Sequence, residues 1–300
     1  MKKTKALATL LLALTFTFAT ATMAACSDDV TAQLPSVETE NTDSSSSPDN
    51  GTTDSAGDEN ASGGTSNGAN DSDSEPSTPT PIPTPQPQPN YAQYIKCTGN
   101  NVNLRAGAGT DYAVLGSAEK GTTYAVVGKS GQWYKTYYRG KTAYLYASYA
   151  AVLSLKTSDN EAVENVIEEG YKLLGVPYVY GAVRVHDGNG KLLSGFTTQK
   201  FDCSSLIQYI FYKGANTLLQ VTTRTQVKQG KYVAKNDLRR GDCLFFTNES
   251  REHLSGVERV GHVALYLGNN YILHTASDYA RIEQISNSRW NYYIEARRFL

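Results

Sequence analysis

Hydrophobic residues between positions 158 and 175 recur at the spacing of a helix. The apolar side chains fall three or four residues apart, with acidic residues on the other face; they are Val163, Val166, Ile167, Tyr171 and Leu174. This period predicts an amphipathic helix with one buried face. Gly175 follows the last apolar position, so we expect the helix to end there and residues 175–181 to form a rigid turn around Pro177.

A second helix is predicted from Asp202 and is expected to be closed by Gly214. Asp202 is a favourable N-cap residue, which makes Cys203 the first helical residue. Cys203 shares a stripe with Ile207 and Ile210, so its thiol faces whatever the helix packs against. The helix dipole places about half a positive charge at this end, where a thiol has a lowered pKa and the nucleophilic thiolate is favoured. A buried, inert cysteine is the alternative interpretation.

Residues 262–267 and 271–276 alternate between two faces, as strands of a hairpin do, and residues 268–270 form the turn between them. A three-residue turn would pair Leu267 with Tyr271. A two-residue turn would shift the register by one and put the side chains of one strand on the opposite face. We expect the three-residue turn.

The expected register places His262 and His274 on one face and within reach of each other. His262 is then a candidate general base and acid for a Cys203 thiolate. His274 is a candidate third residue that fixes the tautomer of His262. The three residues together predict a thiol hydrolase.

Residues 91 to about 155 show a different pattern of short strands between glycine turns. The strands are predicted at 102–105, 122–127, 133–138 and 143–149. Strands this short and this closely spaced suit a small all-β barrel.

The first 26 residues are typical of an export signal. Lys2, Lys3 and Lys5 precede an apolar stretch, residues 6–22, which ends near Cys26. Small residues ahead of that cysteine resemble the lipobox of bacterial lipoproteins. The resemblance implies cleavage before Cys26 and attachment of a diacylglyceryl group to its sulfur; a plain secretory signal is the alternative.

Residues 27–90 cannot bury a core. They contain 12 acidic residues, no Lys or Arg and no aromatic side chain, so we expect a disordered linker with a polyproline end. The whole chain has a net charge of −1, but residues 91–300 carry 25 basic and 17 acidic residues and hence +8. A basic body suits anionic wall polymers; nothing in the sequence suggests nucleic acid.

Cysteine usage excludes a disulfide framework. Beyond Cys26 only Cys97, Cys203 and Cys243 remain, an odd number in an exported chain. Zinc is not expected, because neither His-Glu-x-x-His nor Cys-x-x-Cys occurs, and we expect no cofactor.

Two resemblances connect these patterns to known families. Residues 102–107, 131–135 and 140–144 resemble the bacterial SH3-type domain, whose members usually bind cell-wall peptides. Asp202-Cys203-Ser204, Gly261-His262-Val263 and Leu273-His274-Thr275-Ala276 resemble the NlpC-type cell-wall cysteine peptidases, which are papain-like in fold.

The second resemblance implies an α+β catalytic domain in which the cysteine-bearing helix packs on an antiparallel sheet. It implies hydrolysis of peptidoglycan stem peptides next to γ-D-glutamate, with Cys203, His262 and His274 as catalytic residues. It also suggests that Asp202, Ser204 and Tyr178 help to place the substrate.

We therefore expect four segments: a signal peptide (1–25), a lipidated linker (26–90), an SH3-type domain (91–155) and a peptidase domain (156–300). The protein would be exported, anchored to the membrane by lipid and extended into the wall. A papain-like N-acetylmuramoyl-L-alanine amidase and a non-catalytic wall-binding lipoprotein are the alternatives.

The chain departs from the family pattern in several places. Tyr180 and Ala182 stand where members usually have Trp and Gly, and the loops 183–200 and 247–260 are longer than usual. We expect these loops to line the edge of the cleft and their histidines, His186 and His253, to be solvated. Cys243 is expected in the core, with a redox partnership to Cys203 as the alternative.

Overall fold

The computed structural model describes residues 90–300. The predicted signal peptide, Cys26 and the acidic linker lie outside these residues. The described part combines helices with two β-sheets, which confirms the predicted mixture of helix and sheet. Of the helices in residues 90–300, none is both long enough and apolar enough to cross a membrane.

Eight short strands make up the first part of the described chain. They are β1 (Tyr91–Cys97), β2 (Val102–Arg105), β3 (Val114–Ala118), β4 (Thr123–Ala125), β5 (Gly128–Ser130), β6 (Trp133–Tyr138), β7 (Lys141–Tyr146) and β8 (Ala150–Lys156). The strands predicted at 102–105 and 133–138 coincide with β2 and β6. The strand predicted over 143–149 ends early, because β6 begins at Trp133 and offers β7 no partner beyond Tyr146. A 3-10 turn, Ala147–Tyr149, follows instead.

The second part contains four helices and six strands. The helices are α1 (Glu161–Lys172), α2 (Cys203–Ala215), α3 (Thr223–Gln226) and α4 (Asn287–Asn291). The strands are β9 (Lys231–Val233), β10 (Cys243–Phe246), β11 (His262–Gly268), β12 (Tyr271–Ala276), β13 (Tyr279–Gln284) and β14 (Tyr293–Arg298).

The two predicted helices, α1 and α2, pack against each other. The prediction that Gly214 closes α2 was wrong: the helix runs through it and ends at Asn216, which adopts the left-handed conformation with φ of +50°. Gly214 has a packing role. A Cβ at this position would lie 2.5 Å from the Val166 backbone, so only glycine allows α1 and α2 to approach this closely.

One nine-stranded antiparallel sheet runs through both parts of the described chain, in the order β8-β1-β4-β13-β12-β11-β10-β14-β9. Three strands of the first part therefore extend the sheet of the second, joined where Thr123 of β4 pairs with Ile282 of β13. The other strands of the first part form a separate five-stranded sheet, β3-β2-β7-β6-β5.

A buried polar network also joins the two parts. The Arg240 guanidinium donates to both Glu164 carboxylate oxygens at 2.7 and 2.8 Å, and to the hydroxyls of Tyr94 and Tyr171 at 2.9 and 3.0 Å. Tyr94 belongs to β1, whereas the other three residues belong to the second part. The two tyrosine hydroxyls are also hydrogen-bonded to each other. Each buried polar group of this network thus has a partner.

Candidate active site

Cys203 is the first residue of α2, as predicted. Asp202 caps the helix by accepting a hydrogen bond from the Ser205 backbone N–H at 2.8 Å, and Ser205 Oγ accepts from the Asp202 N–H at 2.8 Å. This capping box fixes the start of the helix. The Cys203 side chain is 8% exposed, and the positive end of the helix dipole favours a negative charge there.

The helix that carries Cys203 lies against β11 and β12, the two strands that carry the histidines. His262 is the first residue of β11 and His274 lies within β12. Their rings meet: His262 Nε2 lies 2.9 Å from His274 Nδ1, with the ring planes at 80°. The structure therefore brings the two predicted histidines together on the side of the hairpin that they were expected to share.

The turn between β11 and β12 differs from the prediction. Gly268 pairs with Tyr271, so the hairpin closes through a two-residue turn of Asn269 and Asn270, both with positive φ. A bulge between Tyr266 and Gly268 shifts the register back by one residue. The two changes cancel, and this is why the histidines still share a face.

Burial of His262 and His274 sets the charge state of their imidazole rings. Burial, with His274 as a second cause, lowers the pKa of His262 well below its usual value. Burial also lowers the pKa of His274, although the Glu283 carboxylate opposes this shift. Both rings are therefore neutral near pH 7, which is the state in which an imidazole acts as a base.

Glu283 of β13 is a site residue that the sequence did not reveal. Its Oε1 lies 3.1 Å from His274 Nε2 and 2.9 Å from Arg289 Nη2. Burial by itself would raise the pKa of Glu283, but His274 and the neighbouring Arg289 and Arg281 outweigh it and lower that pKa to about 2. An ionised Glu283 carboxylate therefore lies next to the histidine pair, in contact with His274.

The predicted substrate-placing residues Asp202 and Ser204 are buried in a polar cluster. Arg184 Nη1 lies 2.9 Å from Asp202 Oδ2, and Arg184 Nη2 donates to Ser204 Oγ at 2.8 Å. Ser204 Oγ in turn donates to Asp202 Oδ1 at 3.0 Å. Tyr178 reaches this region through its backbone, which forms a parallel bridge with Phe201. Arg184, the one arginine of the loop 183–200, was missed because no local pattern marks it as a site residue.

The loop 183–200 also contains a wrong prediction. His186 was expected to be solvated, but it is fully buried. Its Nδ1 accepts a hydrogen bond from the Gly188 N–H at 3.0 Å, its ring packs against Tyr212, and its carbonyl accepts from Gln208 Nε2 at 3.2 Å. The polar turn thus folds back onto α2. His253 of the other loop is exposed, as expected.

The two remaining described cysteines lie apart from this chemistry. Cys243 is fully buried in β10, where it pairs with Leu265, and burial raises its pKa well above the usual value. Cys97 is buried in β1, and burial raises the pKa of its thiol too. No disulfide links the cysteines of residues 90–300. Across the same residues, no three His, Cys, Asp or Glu side chains are grouped so that they could hold a metal ion.

A separate, concave site lies on the five-stranded sheet. It is a cavity of about 720 Å³ whose aromatic wall consists of Trp133, Tyr146 and Tyr149. The Trp133 and Tyr146 rings are 5.1 Å apart, and Tyr146 and Tyr149 are 36% and 47% exposed. Arg105 and Asp111 also line it. Exposed aromatic rings in a cavity with a few polar groups are typical of a ligand site.

Comparison with known proteins finds similarity in both parts of the described chain. Residues 175–298 match the NlpC/P60 family, and residues 100–151 match the bacterial SH3 domain. The chain is 35% identical over 113 residues to the peptidoglycan endopeptidase RipA of Mycolicibacterium smegmatis, covering 38% of this chain and 21% of RipA. It is 26% identical over 151 residues to the gamma-DL-glutamyl hydrolase of Bacillus subtilis, covering 50% of this chain and 32% of that protein.

A crystal structure of an NlpC/P60 family protein from Bacillus cereus is also similar. The identity is 21% and the TM-score 0.37, over 70% of this chain and 64% of the other. The chain spans less than half the length of each of these two curated relatives.

Proposed function

Because the chain carries an NlpC/P60 domain behind a bacterial SH3 domain, we propose that it hydrolyses peptidoglycan stem peptides next to γ-D-glutamate. The observation that carries this proposal is the 2.9 Å contact between His262 and His274, on the strands against which the Cys203 helix packs. A nucleophile, a base and an orienting group are the parts that thiol hydrolysis requires. The relatives are named a peptidoglycan endopeptidase and a gamma-DL-glutamyl hydrolase, which supports this substrate class.

In the proposed reaction the neutral His262 takes the Cys203 thiol proton, and the thiolate attacks the scissile carbonyl. The Cys203 backbone N–H helps to hold the oxyanion, and a donor of this kind contributes about 2.7–4 kcal/mol. The imidazolium of His262 then protonates the leaving amine, which leaves a thioester. His262 next takes a proton from water, the hydroxide attacks the thioester and releases the acid with the Cys203 thiolate as leaving group, and the imidazolium returns its proton to that thiolate.

The polar cluster at the start of α2 is proposed to place the substrate. Asp202 and Ser204 are only 4% and 3% exposed and both contact Arg184. We propose that they act by holding the Arg184 guanidinium beside the start of α2. Tyr178, whose side chain is more accessible, would contact the substrate directly. The aromatic cavity around Trp133 is proposed to hold wall material, so that one part binds while the other cuts.

Export completes the proposal. A substrate outside the cytoplasm requires the amino-terminal residues to act as a signal, and lipidation at Cys26 would keep the enzyme at the membrane surface. The basic residues 91–300 would then face anionic wall polymers. We propose papain-like catalysis without a cofactor.

Mass spectrometry of defined muropeptides tests the cleavage. Purified full-length protein and two alanine variants, Cys203→Ala and Cys243→Ala, are incubated with the same muropeptides. We expect cleavage to be lost with Cys203→Ala and retained with Cys243→Ala, because only the first thiol lies at a helix start beside the histidine strands. Cleavage retained by Cys203→Ala would refute the assignment.

The same spectra separate the alternatives. An amidase would release the whole stem peptide from the glycan, whereas the proposed endopeptidase leaves a shortened stem attached. A non-catalytic wall-binding protein would give neither product. His262→Ala should reduce cleavage more than His274→Ala, because only His262 transfers protons to the reacting groups; an equal or reversed order would count against these roles.

A further inference from the structure

Glu283 approaches the histidine pair at the ring nitrogen of His274 that does not contact His262. Its carboxylate contacts His274 Nε2 at 3.1 Å, while His274 Nδ1 contacts His262 Nε2 at 2.9 Å. His274 is 1% exposed, so bulk water does not substitute for the carboxylate. The three side chains form one line of contacts from β13 through β12 to β11.

We propose that Glu283 is a positioning residue that selects the tautomer of both histidines and leaves Nδ1 of His262 as the basic nitrogen. The selection itself follows from the contacts alone. Only its last step, in which Nδ1 accepts the proton of Cys203, rests on the proposed function.

The selection follows from counting protons along the line. The ionised Glu283 carboxylate lies 3.1 Å from His274 Nε2 and would repel a lone pair on that nitrogen, so the proton of the ring is favoured on Nε2. A neutral imidazole has a single N–H, and His274 Nδ1 is therefore an acceptor. The His262 Nε2 that contacts it must then carry the proton of that ring, which leaves the lone pair of His262 on Nδ1.

Two arginines beside this line keep the carboxylate ionised, and two further titratable residues lie on the elements packed against it. From α4, Arg289 Nη2 lies 2.9 Å from Glu283 Oε1, and on β13 itself Arg281 Nε lies 4.0 Å from Oε2. The other titratable residues near the line are His262 on β11 and Cys203 on α2. Helix α2 packs against β11 and β12. The low pKa of Glu283, about 2, means that the carboxylate stays charged throughout the range in which a thiol hydrolase works.

Nitrogen-15 NMR of the imidazole rings tests the tautomers without any reaction. We expect the full-length protein, near neutral pH, to show both histidines protonated at Nε2 and bare at Nδ1. A Glu283→Gln variant should show a mixture for His274, because an amide both donates and accepts. Finding His274 protonated at Nδ1 in the wild-type protein would overturn the proposal. Since no substrate is used, this result stands apart from any failure of the proposed cleavage.

Kinetics on muropeptides supply the second readout. Glu283→Gln should lower kcat by about 10- to 100-fold with KM unchanged, less than the loss when a directly contacting orienting residue is changed. The acidic limb of the kcat/KM profile should move to lower pH, because His262 acts as the neutral base and loss of a nearby negative charge lowers the pKa of its imidazole. Glu283→Asp keeps the charge and should recover part of kcat.

Glu295→Gln is the matched control. Glu295 accepts a hydrogen bond from Arg297 at 2.7 Å on β14, so it is a paired glutamate on a strand that carries neither histidine. This variant should keep the wild-type profile. A folded Glu283→Gln protein with wild-type kcat and an unmoved acidic limb would refute the positioning role. If that variant does not fold, the Glu283→Asp variant must still show Nε2 protonation of His274, and its absence would equally refute the role.

Discussion

Replacing Arg240 by methionine should destabilise the whole of residues 90–300. The side chain is 5% exposed and donates hydrogen bonds to Glu164, Tyr94, Tyr171 and the Leu267 carbonyl. Methionine fills much of the same space but donates none of these bonds. The substitution thus leaves a carboxylate, a carbonyl and two hydroxyls without their shared donor.

The expected loss follows from this inventory. Removing one member of a buried ion pair costs about 3–5 kcal/mol, because the remaining charge is left uncompensated. The Glu164 side chain is 28% exposed, so water compensates part of the loss and we expect about 3 kcal/mol. For a folded region of this size, that corresponds to a fall in Tm of about 6–12 °C.

Thermal and urea denaturation of the full-length protein measure this loss. Lys172→Met is the control, because Lys172 pairs with Glu169 at 2.7 Å on the surface of α1 and such pairs contribute about 0–1 kcal/mol. Tyr94→Phe should lose about 1–2 kcal/mol, although Tyr94 belongs to the first part of the chain. A loss below about 1 kcal/mol for Arg240→Met would refute the reasoning that this network holds the two parts together.

Three further predictions concern pH, wall binding and anchoring. The free energy of unfolding should fall as the pH drops from about 7 to 5. Burial lowers the pKa of His262 and His274 in the folded protein, so the unfolded chain takes up protons at a higher pH than the folded one does. Each group contributes at most about 1.4 kcal/mol per pH unit. Thermal denaturation across this range should give a shallower slope for His262→Gln, and equal slopes would contradict the prediction. Trp133→Ala should reduce co-sedimentation of the protein with purified cell walls but leave cleavage of soluble muropeptides unchanged. The control is Tyr232→Ala, which removes an exposed tyrosine outside the cavity. Co-sedimentation that is not reduced by Trp133→Ala would exclude the cavity as the wall-binding site. Cys26→Ser should abolish incorporation of labelled fatty acid in cells, and persistent labelling would contradict lipidation at that sulfur.

Local patterns were sufficient to predict the elements that carry the chemistry. The N-cap preference of Asp202 predicted the start of α2 at Cys203, and the period of alternation predicted β11 and β12. These features depend on neighbours within a few residues. The end of α2 was mispredicted at Gly214, because close packing between helices and helix termination both favour glycine and the sequence does not separate them.

Contacts between distant segments could not be predicted in this way. Glu283 and Arg184 reach the site only because β13 pairs with β12 and the long loop folds over the start of α2. His186 sits in a polar turn sequence that suits solvent, yet Tyr212 and Gln208 of α2 enclose it. In each case a tertiary contact decides the environment, and a reading based on local spacing has no access to it.

The hairpin between β11 and β12 shows how a correct site can follow from a wrong turn. Two asparagines with positive φ close the chain in two residues, a shape that matches the twist of the strands. Without a compensating residue, that turn would move His262 to the other face and separate it from His274. Leu267 supplies the compensation: it lies between the two register positions and is fully buried. The tight turn and the bulge therefore depend on each other, and together they keep the two imidazoles on one face of the hairpin.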